Sequence, residues 1–358
     1  MTALPAVEAR MPQLDALRAF AALAVIYAHA TTYPGHTLGS YGVTLFFVLS
    51  GFLITGILLR CRAMRDERGA SLFWLLRQFY ARRSLRIFPL YYFVLLLLVI
   101  VGYAPARRDF WFLATYLGDF YLPLRPESAV SHFWSLAVEE QFYLLWPWAV
   151  LLLPRRWLPK VACGLIIAGP LYRLWGWSHG VSQGVMWTSP IASAEALAVG
   201  GLLAMVGPEQ RFLRVLLIAG IITFACRMVC RIGFSNGPQP LWTLGHSLLS
   251  AWLVGWAARG VGGRTGQLLS FGPLLWIGTI SYGVYVYHLP LLKGWQQILP
   301  KTPDWLTLLA VTGLTLGVAA LSWYLFERPI SRLKRLFPYS SRPNPQPSTT
   351  GQAVFRGI

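Results

Sequence analysis

The stretch "LDALRAFAALAVIYAHA" places Arg18 and His29 eleven positions apart. At about 100° per residue the two side chains return to within roughly 20° of one helix face, about 16 Å apart along the axis. Imidazole titrates near neutrality and serves as a general base, whereas guanidinium binds anions. A second stretch, "RRSLRIFPLYY", sets Arg83 and Arg86 one helical turn apart. Two guanidiniums so placed grip phosphate oxygens through paired hydrogen bonds. In a third, "SHFWSLAVEEQFYLLWP", the residues His132, Ser135, Glu139, Tyr143 and Trp146 recur at three- and four-residue steps and share a stripe, with Glu140 about 100° round beside Leu136 and Leu144. A ligand with phosphates at one end and a reactive group some 15 to 20 Å away, on the order of three helical turns, spans the interval between the arginines and the histidine. Each feature also has a plainer reading: a snorkelling Arg18, ordinary inner-face charge at Arg83 and Arg86, and a satisfied core histidine at His29.

The elements that must position these groups are membrane helices. Of 358 residues 56% are hydrophobic and only 12% are charged, about half the charged share of a soluble domain. Apolar blocks of 17 to 25 residues recur along the chain, each able to cross a hydrocarbon core of about 30 Å as a helix that satisfies its own backbone. The pattern predicts an all-α, polytopic membrane bundle of about ten transmembrane helices, near 14–33, 42–59, 87–103, 133–153, 160–177, 189–206, 212–229, 240–258, 273–298 and 305–326. "FWFLATYLGDFYLPL" is too short and too broken by Gly118 and Pro123 to cross, so residues 109–124 read as an interfacial or re-entrant piece. The first segment has no basic leader and no small-residue cleavage site and reads as a permanent span.

Basic residues set the orientation. The connection expected at 60–86 holds eight arginines, and the same side receives Arg155, Arg156, Lys160, Arg211, Arg214, Arg259, Arg264 and "ERPISRLKR". Positive charge stays in the cytoplasm, so both termini are expected there, and anionic lipids balance part of the net charge of +18. The arginines flank spans and form no separate soluble module, which argues against nucleic acid as a partner. Cys226 and Cys230 lack a second pair that would complete a metal site and are read as packing residues; no metal is expected. Residues 1–336 form the membrane domain, and 337–358, rich in Pro, Ser and Thr, read as a flexible cytoplasmic tail. The tryptophans, Trp134, Trp146 and Trp175 among them, suit either stacking on sugar rings or the aromatic belts of a bilayer.

Ionisable groups inside a span are costly and mark function by default. Counting residues from the expected span ends brings His29, Glu139, Glu140, Glu195 and His288 to one layer in the outer third of the membrane. Of the two adjacent carboxylates, one is expected to be neutral or paired with an arginine such as Arg173. "FFVLSGFLITG", with Ser50, Gly51 and Gly56, reads as close-packing scaffold.

These motifs, in this order, resemble the acyltransferase-3 family of integral membrane O-acyltransferases. The resemblance runs from "LDALRAFAALAVIYAHA" through "GVTLFFVLSGFLI", "RRSLRIFPLYY", "HFWSLAVEEQFYLLWP" and "ISYGVYVYHLPLL" to "FERPISRLKR". It implies acyl-coenzyme A, most simply acetyl-coenzyme A, as donor, and a carbohydrate or lipid-linked glycan hydroxyl as acceptor on the outer side of a bacterial inner membrane. No tightly bound cofactor is implied. The family's arginine and histidine fall on Arg18 and His29, its arginine pair on Arg83 and Arg86, and its serine, glutamate and tyrosine on Ser135, Glu139 and Tyr143. Donor binding is thereby expected at Arg18, Arg83 and Arg86, and catalysis at His29, helped by Glu139, Ser135 and Tyr143. Direct transfer with His29 as base and a transient acyl-histidine both fit. Asp15 is a salt-bridge partner for Arg18, as is Glu139; Glu140, Glu195, His132 and His288 are further candidates. Some members carry an additional extracytoplasmic esterase-like domain, and none is expected after the tenth span here. A transporter or flippase, with intramembrane carboxylates and histidines carrying protons, is the rival reading, and it lacks inverted repeats. A non-catalytic scaffold would have no need of polar groups gathered at one depth.

Overall fold

The computed structural model describes residues 11–31, 35–122, 128–233 and 241–339, and these are helical with no strand among them. Long helices are α1 (Pro12–Ala30), α2 (Gly35–Arg68) and α3 (Leu72–Ile100). Three short pieces follow, α4 (Ala104–Arg108), α5 (Phe110–Ala114) and α6 (Gly118–Tyr121), then α7 (Phe133–Leu152), α8 (Leu158–Ser178), α9 (Gln183–Thr188) and α10 (Pro190–Val206). The rest is α11 (Gln210–Gly233), α12 (Leu241–Ala258), α13 (Gly263–Leu269), α14 (Gly272–Ile298), α15 (Asp304–Ser322), a π turn at Trp323–Glu327, α16 (Arg328–Arg332) and a 3-10 turn at Leu333–Leu336. Among the described residues four helical runs are long and apolar enough to cross a membrane, 38–68, 72–100, 183–206 and 304–336, and a fifth if α13 and α14, bent by 45° at their junction, count as one.

Each expected apolar block is a helix, but the second and third differ at their basic ends. The expected 60–86 connection does not exist as a loop: α2 runs on to Arg68 and α3 begins at Leu72, so Arg77, Arg82, Arg83 and Arg86 are helical. Leu, Arg, Met and Ala are strong helix formers, and the stop comes only at Gly69, whose φ of 66° turns the chain while its amide reaches the Arg65 carbonyl at 3.1 Å. Part of this basic charge is therefore structural. Arg62 donates to the carbonyls of Val150 (2.7 Å) and Leu153 (2.5 Å), and Arg65 to that of Leu151 (2.6 Å), which satisfies orphan carbonyls at the end of α7. The stretch 110–122 is broken into α5 and α6, neither long enough to cross, with the backbone reversed at Tyr116 (φ 55°). Cys61 is buried while Cys163 and Cys226 are exposed, so Cys226 does not pack as expected; the Cys230 side chain, Pro123 and the tail from residue 340 lie outside the described residues.

At the centre, α1 buries Ala16, Ala19, Ala21, Ala22, Ala28 and Ala30 and is embraced by α2 and α14. A side chain at Gly278 would land on the Asp15 backbone carbonyl, so α14 meets α1 main chain to main chain. Further along, the rings of His29 and His288 stand 5.1 Å apart between centroids, so these two helices run parallel. Between α2 and α10, Gly51 faces the Leu197 carbonyl and Gly200 the Val48 carbonyl with no room for a Cβ, the close packing expected of Gly51; Gly56 has nothing within 4 Å. Trp146 is neither belt nor exposed platform: it is buried and its indole donates to Thr55 Oγ1 at 2.8 Å, pinning α7 to α2.

Candidate active site

α1, α2, α3, α7 and α14 enclose a cavity of about 870 Å³ including its open mouth. One end is basic, formed by Arg18, Arg83 and Arg86. Arg18 is held by Asp15 at 2.8 Å, one of its two expected partners, both side chains only partly exposed. Arg83 lies over the rings of Tyr143 (5.6 Å) and Phe79 (5.9 Å), which fixes the guanidinium through cation–π contact while leaving its edge for an anion. Ile87, one residue after Arg86, accepts from the Tyr282 hydroxyl at 2.8 Å, so α14 clamps the same turn of α3.

The middle of the cavity carries Ser50, Glu139, Glu140 and Tyr143. Tyr143 donates to Glu139 Oε2 at 3.2 Å, one turn away on α7, and its oxygen also shares a close hydrogen bond with the Ser50 hydroxyl of α2. Ser50 therefore belongs to the site and not to the scaffold expected from its small size. Its only signal in the sequence is a hydroxyl in an apolar run.

The far end is closed by Ser135 and Tyr285, hydrogen-bonded at 2.5 Å; each hydroxyl also lies 3.1 Å from the His132 carbonyl. Behind this pair three imidazoles form a chain, His29 to His288 at 5.1 Å and His288 to His132 at 4.7 Å between centroids. Backbone carbonyls can only accept, and this assigns the rings. His29 Nδ1–H donates to the Val25 carbonyl (2.9 Å), which puts the basic lone pair of a neutral ring on Nε2. His288 Nδ1–H donates to the Tyr285 carbonyl (2.5 Å), and His132 Nε2–H donates to Val286 (3.2 Å). The Val286 carbonyl is available because Pro290, four residues on in α14, has no N–H to offer it. His132 and His288 are 3% and 1% exposed, whereas His29 is an exposed residue in the last turn of α1.

The expected single layer of five ionisable groups thus separates. His29 and His288 meet, joined by His132. Glu139 stands seven residues along α7 from His132, about 10 Å deeper by the helical rise, and it shares the cavity with the arginines. The misplacement has a simple cause: α1 ends at Ala30, short of the expected 33, so His29 sits at the rim of the bundle and not a third of the way in. Glu195 belongs elsewhere. It is fully buried between α8, α10 and α12, in a close ion pair with Arg173 and accepting from Ser247 at 3.1 Å. Arg173 is consequently the partner of Glu195 and not of the Glu139–Glu140 pair, because α8 packs against α10 on the far side of α2 from the cavity. Tyr285 was not singled out from sequence, although it lies one turn from His288 in "ISYGVYVYHLPLL".

A basic end, a chain of hydroxyls and a histidine cluster behind the opposite end, all within an apolar helical bundle, make up a candidate group-transfer site. The chain belongs to the acyltransferase-3 family, whose acyltransferase domain matches residues 11–327. It is 33% identical to the peptidoglycan O-acetyltransferase OatA of Listeria monocytogenes, over 90% of this chain and 56% of that protein. Identity is 30% to the putative peptidoglycan O-acetyltransferase YrhL of Bacillus subtilis (89% and 55%) and 27% to the O-acetyltransferase OatA of Staphylococcus aureus (90% and 57%). The chain therefore spans a little over half the length of these relatives. No solved structure matches it.

Proposed function

We propose that this chain is an integral membrane O-acetyltransferase that takes an acetyl group from acetyl-coenzyme A and passes it to a sugar hydroxyl of peptidoglycan or a related glycan. The observation that carries the reading is a single cavity with Arg18, Arg83 and Arg86 at one end and the Ser135–Tyr285 pair closing the other, behind which the His29–His288–His132 chain stands. In this reading the bundle crosses a bacterial inner membrane about ten times with both termini in the cytoplasm, so that the arginine end faces the donor pool and the histidine end faces the cell wall. The names of the relatives supply the acceptor class.

Arg83 and Arg86 hold phosphate oxygens of the donor, and the pantetheine arm lies along the cavity past Glu139 and Tyr143. His29 Nε2 removes the proton of the acceptor hydroxyl as its oxygen attacks the thioester carbonyl. The developing oxyanion accepts a hydrogen bond from Ser135 or Tyr285, and the tetrahedral intermediate expels the coenzyme thiolate, which takes up a proton. In the two-step version the His29 imidazole is acylated first and the hydroxyl then attacks the acyl-imidazole. Glu139 acts through Tyr143 and the facing guanidiniums, holding the arm's channel polar, and is a positioning residue. The test is transfer from acetyl-coenzyme A to a muropeptide or chito-oligosaccharide by purified protein in detergent or nanodiscs. Activity in the parent and a loss of 10²-fold or more in His29→Ala, with donor binding kept, support the assignment; full turnover in His29→Ala overturns it.

A further inference from the structure

Beyond Arg83 and Arg86 the chain folds its C-terminal end back onto α3. After the π turn at Trp323–Glu327, α16 and the 3-10 turn at Leu333–Leu336 carry the chain along the first turns of that helix. Arg82 Nη1 donates to the carbonyls of Lys334 and Phe337, both at 3.2 Å, and its guanidinium covers the Tyr339 ring at 4.9 Å. Arg77 covers Phe337 at 5.7 Å. Tyr339 is 7% exposed, enclosed beside Arg60 and Cys61 of α2. The segment 333–339 is thus a strap fastened by cation–aromatic contacts and by backbone carbonyls, which hold its position without using up the Lys334 side chain.

So fastened, the Lys334 ammonium, which donates to Ser331 Oγ at 3.3 Å, lies in electrostatic contact with Arg86, Arg83 and Arg82. The carboxylate facing it is Glu327, pushed inward by the π turn and held by the Ser322 hydroxyl at 3.0 Å. Glu139 and Glu140 face Arg83 from the other side, within the cavity. The carboxylate nearest the ammonium is Glu327, while Glu139, Glu140 and Asp15 face the guanidiniums from the cavity side, so a polyvalent anion entering beside Lys334 meets the less neutralised part of the cluster. Coenzyme A carries two separate phosphate centres, the diphosphate bridge and a 3′-phosphate on the ribose. The arginine pair on one turn of α3, with Arg18 facing it in the cavity, matches one centre, and Lys334 stands beside the pair on the strap side for the other. Lysine suits a terminal phosphate as a point charge, where arginine suits a bridged pair of oxygens.

We propose that Lys334, held by the strap 333–339, binds the ribose 3′-phosphate of the donor and makes the protein select coenzyme A thioesters over their 3′-dephospho counterparts. The proposal rests on acyl-coenzyme A being the donor, and its experiment separates the two ideas. Steady-state KM is measured for acetyl-coenzyme A and acetyl-3′-dephospho-coenzyme A with the parent, Lys334→Gln and Lys334→Arg, each monodisperse on size exclusion, in nanodiscs of neutral lipid and of neutral lipid with phosphatidylglycerol. The parent is expected to prefer the 3′-phosphorylated donor by about tenfold to a hundredfold, the size of one charge-assisted hydrogen bond. Lys334→Gln abolishes that preference with kcat unchanged, and Lys334→Arg retains part of it. A parent that turns over both donors with equal KM, or a Lys334→Gln protein that still discriminates, overturns the proposal while leaving the donor class intact. A KM set by phosphatidylglycerol content and indifferent to the 3′-phosphate assigns Lys334 to lipid headgroups and overturns it too. A parent inactive with both thioesters refutes the donor class itself.

Discussion

The Ser135 hydroxyl of α7 and the Tyr285 phenol of α14 share a hydrogen bond of 2.5 Å, and both lie 3.1 Å from the same His132 carbonyl. The pair latches two helices at the point where the basic cavity meets the histidines, so a thioester reaching His29 must pass or displace it. Tyr285→Phe keeps the ring contacts with Phe46, His132 and His288 and removes only the hydroxyl, a net loss of about 1 kcal/mol of stability. Its expected signature is a shift in partition: thioester hydrolysis rises relative to acetyl transfer. Counting free thiol against acetylated product checks this, and an unchanged ratio shows that the latch does not guard the passage.

His288 offers a cleaner probe of the imidazole chain. Its Nδ1–H is fixed on the Tyr285 carbonyl, while Nε2 is buried with no hydrogen-bond partner among the described residues. Asparagine reproduces the Nδ1–H donor and lacks the second nitrogen. His288→Asn is therefore expected to fold normally and to lose about 10- to 100-fold in kcat with KM for the donor unchanged, whereas His288→Ala also loses thermal stability. Equal kcat in His288→Asn and the parent would confine His288 to packing.

At the opposite end, Arg83→Ala and Arg86→Ala are each expected to weaken donor binding by about 1.5–3 kcal/mol, the range for a hydrogen bond to a charged group. Arg83→Lys recovers little of this, because the planar group that rests on Tyr143 and Phe79 is lost. Isothermal titration with desulfo-coenzyme A reads binding separately from chemistry, and its affinity should be unmoved by His29→Ala.

Two glycines of α14 give a contrast in stability. Gly278→Val drives a branched side chain into the Asp15 main chain and is expected to weaken the bundle strongly. Gly294→Ala meets nothing within 4 Å and gains up to about 1 kcal/mol of helix propensity. Melting of the purified proteins, followed by fluorescence, orders the three as Gly294→Ala, parent, Gly278→Val.

The buried Arg173–Glu195 pair, away from the cavity, is predicted to matter for folding and not for turnover. Arg173→Met leaves a fully buried carboxylate without its partner and costs about 3–5 kcal/mol, and adding Glu195→Gln restores most of it. A double variant that melts like the parent yet has lost turnover would place the pair in the reaction instead.

Much of this bundle can be read from the sequence because membrane helices announce themselves by length and apolarity, one segment at a time. That Arg18 and His29 lie on one helix, near its opposite ends, follows from a spacing of eleven in an apolar run. Contacts between helices are another matter. Ser50 against Tyr143, His132 against His288 and Arg173 against Glu195 join residues 93, 156 and 22 positions apart in the chain, and no periodicity within a segment selects them. Depth differs from expectation for His29 because it is counted from an assumed span end, and α1 stops three residues early. Lys334 was hidden among charges that hydropathy assigns collectively to the inner face.

The seam at Gly278 has a last implication. With α1 and α14 in main-chain contact at Asp15 and their imidazoles adjacent some 15–20 Å further on, neither helix can slide against the other. On the proposed reading the separation between Arg18 and His29, both on α1, is then a fixed yardstick, and a donor is expected to be measured by the reach of its arm: a carrier a few bonds too short stays unreactive however firmly its phosphates are held.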